Sequence, residues 1–333
     1  MIASMGRRRA LGGLVGAGAA MLPLAAFSET GKTGQYPTKP IALLLPMPPG
    51  GSSDALMRLM GPRLGERLGQ PVIIENKPGA GGGLALAAVA RAPADGYTIG
   101  VGAAGGLSAN VSLYRRLPYS PARDFAPISL LAYIPFVLVA NPAASANSVS
   151  QLMQQARSAP GAISVAHAGD GTAMHLSIQL LSQLGGAKFL EIAYRGNGPA
   201  ASDVLAGHVP YAMLDIPAAL QMIRAGKLRP LLVTSSRRLQ ELPEVPTADE
   251  AGIAGYESTG WFGLVAPAAT PPAVLERVGS AVREVIGDKE IQARARGLGI
   301  ELASSTPAEF QYFIAVETEK WARVIKSSGT RLE

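Results

Sequence analysis

The chain has 333 residues, of which 48% are hydrophobic, 5% aromatic and 16% charged. That length suits two domains, and the low charge with abundant Ala, Leu, Val and Ile excludes a disordered chain. No cysteine is present, which excludes disulfides, thiolate nucleophiles and cysteine metal sites. The formal charge of +6 falls to +3 without the arginines at 7–9 (30 − 3 = 27 basic against 24 acidic), which leaves no basic surface for nucleic acid.

Residues 1–28 contain no acid. Arg7, Arg8 and Arg9 precede an uncharged Ala-, Gly- and Leu-rich stretch from Ala10 to Ser28, with small residues near Ala25–Ser28. A basic start, an apolar middle and a small-residue end make an export signal. The apolar part is short and glycine-rich for a membrane span. The arginine pair loosely fits a twin-arginine signal, and the ordinary secretory route stays open. Residues 29–35 read as a linker, and the mature chain is expected to be exported.

Next comes a strand-like run, Ile41–Leu45, followed by "PMPPGGSSDALMRLM" from Pro46 to Met60. Gly50 and Gly51 let the backbone approach a ligand closely. Ser52 or Ser53 suits a helix cap, and the free N–H groups of a first helical turn attract an anion. Leu56, Met60, Leu64 and Leu68 then recur every four residues, with Arg58, Arg63 and Arg67 off that stripe, so a helix is expected. Pro62 predicts a kink or break in it.

Further strands are expected at Val72–Glu75, Thr98–Gly102, Phe136–Ala140, Ile163–Ala166, Phe189–Tyr194, Tyr211–Leu214, Leu231–Thr234 and Trp261–Ala266, and helices at Val149–Ser158, Thr172–Leu184, Pro199–Ala206 and Pro271–Ile286. Strand alternating with helix predicts an α/β architecture with mainly parallel sheets. Gly-rich turns follow the strands at Pro48–Ser53, Pro78–Gly83, Gly102–Gly106, Gly169–Thr172 and Arg195–Gly198. Ligands of open α/β sheets sit at such strand ends, so these loops are expected to line one cleft between two lobes.

The turns fit no nucleotide motif. Gly51 is followed by Ser52 where a P-loop needs Gly-Lys-Ser/Thr. The G-x-G-x-x-G/A frames that start at Gly79 and Gly81 end on Leu84 and Leu86, so a dinucleotide cofactor is not expected. The histidines are His167, His175 and His208, and neither H-E-x-x-H nor G-x-S-x-G occurs. No metal, cofactor or catalytic residue is therefore expected. Arg195, after a strand and before a glycine, offers a fork either to a ligand carboxylate or to a nearby acid. Asp215, at a strand end before Pro217, suits a ligand hydroxyl or amine, or a helix cap. Trp261 and Phe262 are expected to pack where the chain crosses between lobes.

"YPTKPIALLLPMPPGGSSD", "LGQPVIIENKPGAGGGLA", "ADGYTI", "YRGNGPAASDVLAGHV", "AGKLRPLLVTSSRR" and "WFGLVAPAATPP" occur in that order from Tyr36 onward. Together they resemble the Bug proteins, the periplasmic receptors of tripartite tricarboxylate transport systems. The resemblance implies a two-lobe, Venus-flytrap fold like that of periplasmic binding proteins, each lobe a mainly parallel sheet flanked by helices. Lobe 1 would comprise 36–135 plus 260–333 and lobe 2 136–259, with the crossings near Tyr133–Phe136 and Ser258–Phe262.

It further implies ligand contacts from Met47, Pro49, Gly50, Gly51, Ser52, Ser53 and Asp54, completed in the first lobe by Gly81, Gly82, Ala104 and Gly105. The second lobe would add Asp170, Thr172, Arg195 and Asp215. Met47 stands where the family often has an aromatic residue. Asp170 stands where small polar residues are usual, and in the cleft it would disfavour a second carboxylate.

The expected function is capture of a small organic carboxylate or related polar metabolite by a monomer, for transient delivery to membrane transporter subunits. The rival expectations are an exported metal-independent hydrolase and a ligand sensor for a two-component system.

Overall fold

The computed structural model describes residues 36–333; the export signal and linker expected at 1–35 lie outside them. The chain runs β1 (Ile41–Leu45), α1 (Ser52–Leu68), β2 (Val72–Asn76), a 3₁₀ turn (Ala80–Gly82), α2 (Gly83–Ala90), β3 (Thr98–Ala103) and a π-helical turn (Gly105–Ala109). It continues through α3 (Asn110–Leu113), α4 (Pro121–Asp124), β4 (Phe125–Ile134), β5 (Phe136–Ala140), α5 (Val149–Ser158), β6 (Ser164–His167), α6 (Ala173–Gly185) and β7 (Leu190–Ala193). After these come α7 (Asn197–Leu205), β8 (Tyr211–Asp215), α8 (Ile216–Arg224), β9 (Arg229–Val233) and β10 (Gly260–Pro267). The chain ends with α9 (Pro272–Gly287), α10 (Lys289–Gly297), β11 (Glu301–Leu302) and α11 (Pro307–Ser328).

Two sheets result, a six-stranded one in the order β11-β4-β10-β3-β1-β2 and a five-stranded one in the order β7-β6-β8-β5-β9. Helices flank both, as the α/β pattern predicts. The parallel character is partial. β1 pairs in parallel with β2 and β3, and β6 with β7 and β8, whereas β10 and β5 run antiparallel to their neighbours. The antiparallel strands are those that carry the chain between sheets. β4 ends at Ile134 in one sheet, and β5 begins at Phe136 in the other. The chain returns through Ser258, whose N–H donates to Thr234 O (3.2 Å), and enters β10 at Gly260.

Burial explains the strand sequences. All eight residues of β10 are buried, so it reads as an unbroken apolar run rather than an alternating one. In α1 the Leu56, Met60, Leu64 and Leu68 stripe is buried, and Gly69, at φ 79, closes the helix in a left-handed cap. The helix continues through Pro62 without the expected break. Pro62 and Arg58 are both exposed, so the Arg58 carbonyl that loses its helical partner lies on the wet face.

The chain also forms β4, α2, α8, α10, β11 and α11, none of which the periodicity predicted. α11 begins with a capping box, in which Thr306 Oγ1 accepts from the Glu309 N–H and Glu309 accepts from the Thr306 N–H. Its Glu317 accepts from both indole N–H groups, Trp261 (2.9 Å) and Trp321 (3.0 Å), and from Lys320 (3.0 Å). One buried carboxylate thereby fastens α11 to β10.

Candidate functional site

The turn after β1 is tied down from behind. Asp54 accepts from the Gly50 N–H (3.0 Å), Arg58 Nε (2.7 Å) and Asn76 Nδ2 (3.2 Å), and Asn76 also donates to Met47 O (3.0 Å). Burial pushes the Asp54 carboxyl up, but the hydrogen bonds from Arg58, Gly50 and Asn76 outweigh it and hold it below the usual carboxylate range. Asp54 therefore fixes the turn. Gly51 is the N-cap of α1 and has no side chain to cap it, so the first N–H groups of a 17-residue helix are left for something else. Within that first turn the fully buried Ser53 hydroxyl has no partner.

Two more turns of the six-stranded sheet stand beside it. Ala80, Gly81 and Gly82 take successive positive φ values of 48°, 57° and 91°, and Gly105 opens the π-helical turn after β3. From the five-stranded sheet comes the turn 168–172. A Cβ on Gly81 would lie 2.5 Å from Gly171 O, and one on Gly105 would lie 2.3 Å from Gly171 O and 2.6 Å from Gly81 O. The two sheets thus meet backbone to backbone, through three glycines. A second meeting point puts Gly196 against Pro48, with 2.9 Å between a built Cβ and the proline ring.

Beside these meeting points lies a cavity of about 20 Å³. From the six-stranded side it is lined by Met47, Ser52, Gly81, Ala103, Ala104, Gly105, Ile134, Gly260, Trp261 and Phe262. From the other side come Phe136, Thr172, Ala173 and Met174. Such a volume holds about one water, so a larger guest enters only when the walls separate. A larger hollow, of about 830 Å³, is the open groove between α1 and β2. No Gly-rich turns converge on it, and its charged groups are already paired, Arg58 with Asp54 and Glu66 with Arg63.

Of the residues expected in the site, Met47, Ser52, Gly81, Ala104, Gly105 and Thr172 line the cavity. Ser53 and Gly82 are buried next to it in sequence, and Asp215 is buried beside Phe136 in the β5–β8 pairing, none of them lining it. Pro49 and Gly50 are exposed, and Gly51 is half-buried at the helix start. Arg195 is exposed and off the cavity. Asp170 is also off the cavity, with 53% of its side chain exposed and its nearest charge partner His167 Nε2 at 4.0 Å. Asp215 is fully buried and caps α8 through the Ala218 N–H (3.0 Å). It also accepts from Asn197 Nδ2 (2.7 Å). Burial pushes its carboxyl up against these donors.

The residues that sequence reasoning missed are the apolar ones. Ile134 and Phe136 sit in ordinary core-like runs at the crossing between sheets, and Met174 opens α6 just after the 168–172 turn.

Among the described residues one trio has metal-ligand spacing, His167, His175 and Glu191, with ligand atoms within 4.8 Å of one another. The imidazoles stack at 4.8 Å and 13°. His167 Nδ1 accepts from the Gly169 N–H (3.3 Å) and His175 Nδ1 from the Gly171 N–H (3.1 Å). With Nδ1 accepting, a ring proton sits on Nε2, and His175 Nε2 faces Glu191 at 2.8 Å and Gln179 Nε2 at 2.9 Å. A metal-bound histidine does the opposite, donating from its second nitrogen. The pair serves to hold the 168–172 turn.

A family model described as "Tripartite tricarboxylate transporter family receptor" matches residues 56–330. The protein BugT of Bordetella pertussis is 35% identical over 90% of this chain and 92% of its own length. Among solved structures, one described as "R. palustris Rpa4515 with adipate" superposes with a TM-score of 0.85 at 33% identity, covering 89% of this chain and all of that one. MatC from Rhodopseudomonas palustris with bound malate gives 0.81 at 32% identity, covering 87% and 100%.

Proposed function

Since this chain belongs to the tripartite tricarboxylate transporter family of receptors, we propose that it captures a small organic carboxylate between its two sheets. It would then hand that ligand to the membrane subunits of such a transporter. The observation that carries this reading is the meeting of the Gly81, Gly105 and Gly171 turns beside the uncapped start of α1 with its unpartnered Ser53 hydroxyl. Helix N–H groups hold a carboxylate without a fixed positive charge. Such a grip lets go when the walls part, as delivery requires. The adipate and malate held by similar structures support a carboxylate guest.

In this reading the lobes are 36–135 with 260–333, and 136–259. They hinge where the chain crosses at Ile134–Phe136 and Ser258–Gly260, the few residues that absorb a domain closure. The protein acts as a monomer in the periplasm, exported by the basic and apolar segment at its start. The ligand leaves unchanged. Both histidines next to the cleft turn are bound through Nδ1 to backbone N–H groups, so neither is free to take a proton from a nucleophile.

A thermal-shift screen of mono-, di- and tricarboxylates tests this. A binder raises the melting temperature by mass action and is recovered intact. Hydrolytic turnover, or no shift with any carboxylate, would refute the reading.

A further inference from the structure

We propose that the ligand is a monocarboxylate with an apolar body, such as a medium-chain or aromatic acid, rather than a di- or tricarboxylate. This rests on the receptor reading above and concerns what the same cleft selects. No residue that lines the cavity is charged. Its only hydroxyl side chains are Ser52, in the first turn of α1, and Thr172, which already donates to Gly169 O (2.7 Å). The Trp261 indole N–H, the other potential donor, is held by Glu317 (2.9 Å), so its ring meets the cavity only as an apolar surface.

One end of the cavity therefore suits an anion, the uncapped start of α1 that reaches it at Ser52, with the unpartnered Ser53 hydroxyl next in the same turn. The remaining walls are Ile134, Phe136, Met174, Trp261 and Phe262. Opening the lobes separates these walls without changing what each carries. A second carboxylate placed among them would be stripped of water with no donor to replace it. The nearest arginines give no help, because Arg58 is committed to Asp54 and Arg195 is exposed away from the cavity. An aliphatic or aromatic body, in contrast, gains from burial against these side chains.

Hexanoate and adipate separate the possibilities, since they share a six-carbon chain and differ by one terminal carboxylate. Isothermal titration of the full chain is expected to give a Kd for hexanoate at least tenfold lower than for adipate. A Met174→Arg variant, which adds a cation to the apolar wall, is expected to narrow or reverse that ratio. Adipate binding as tightly as hexanoate to the unaltered protein would overturn the monocarboxylate inference and leave the receptor reading standing. If neither these two nor any other carboxylate binds, both fall.

Discussion

Gly81 shows how much one missing side chain matters. Its φ of 57° is left-handed, and a Cβ there would meet Gly171 O at 2.5 Å and the Gly171 carbonyl carbon at 2.7 Å, atoms of the opposite wall. Gly81→Ala is expected to cost about 1 kcal/mol of stability from the backbone conformation. Its larger effect is on closure, because the obstructing atoms are backbone and do not swing aside. Titration calorimetry should show ligand affinity reduced at least tenfold with the melting temperature lowered only slightly; unchanged affinity would mean the walls do not meet there when ligand is bound. The glycines were legible in the sequence as a set of turns at strand ends. The roles of the acids were less so. An aspartate at a strand end either meets a ligand or caps a helix, and spacing alone does not separate the two. Asp215 precedes Ile216-Pro217, and a proline in the first turn is a cap signature, so its structural role had a readable signal. Asp54 had a weaker one, an Arg58 four residues on in the same helix, while its tie to Asn76 in β2 had no local signal.

At the scale of elements, the turn between β6 and α6 depends on two stacked imidazoles. His167 is buried, and burial together with the neighbouring His175 lowers its pKa from 6.5 to about 4, while Glu191 acts in the other direction. Asp170, the remaining acid near it, is 4.0 Å away and half-exposed. The unfolded chain takes up this proton near pH 6.5 and the folded chain only near 4, so between those values the unfolded state binds more protons. Stability is therefore full above about pH 6.5 and declines as the pH falls to about 4, by about 3 kcal/mol. Urea unfolding at pH 7.5, 6, 5 and 4 should show this slope, and His167→Asn, which does not titrate, should lack that share of it. Equal slopes would disprove the account. Other elements were hidden from the sequence for physical reasons. β4 contains Pro127, which argues against a central strand, yet the proline pairs with Val265 at a register shift where its missing N–H is tolerated. α2, with the sequence GLALAAVA, is almost wholly apolar and has no polar face to mark its period. α11 was readable in principle from Thr306-Pro307-Ala308-Glu309.

For the whole molecule, the alternation of strands and helices indicated an α/β fold, and the family that the ordered motifs resemble implied its two lobes. The mixture of parallel and antiparallel pairing was not visible, since it depends on which strands change sheets. With only about 20 Å³ between the walls, a ligand larger than water enters only if the sheets part, which on the proposed hinge happens around the two crossings. Small-angle scattering should therefore give a larger radius of gyration for the free protein than for the protein saturated with ligand. No contraction on saturation would exclude hinge closure.

The contact among Gly81, Gly105 and Gly171 also divides the labour of the cleft. The clasp is made of main chain, and on the proposed receptor reading selection falls to side chains such as Met47, Met174 and Phe136 that take no part in it. A pocket built this way can be retuned to a new compound, by natural drift or in the construction of a biosensor, while the closing movement that reports occupancy stays as it was.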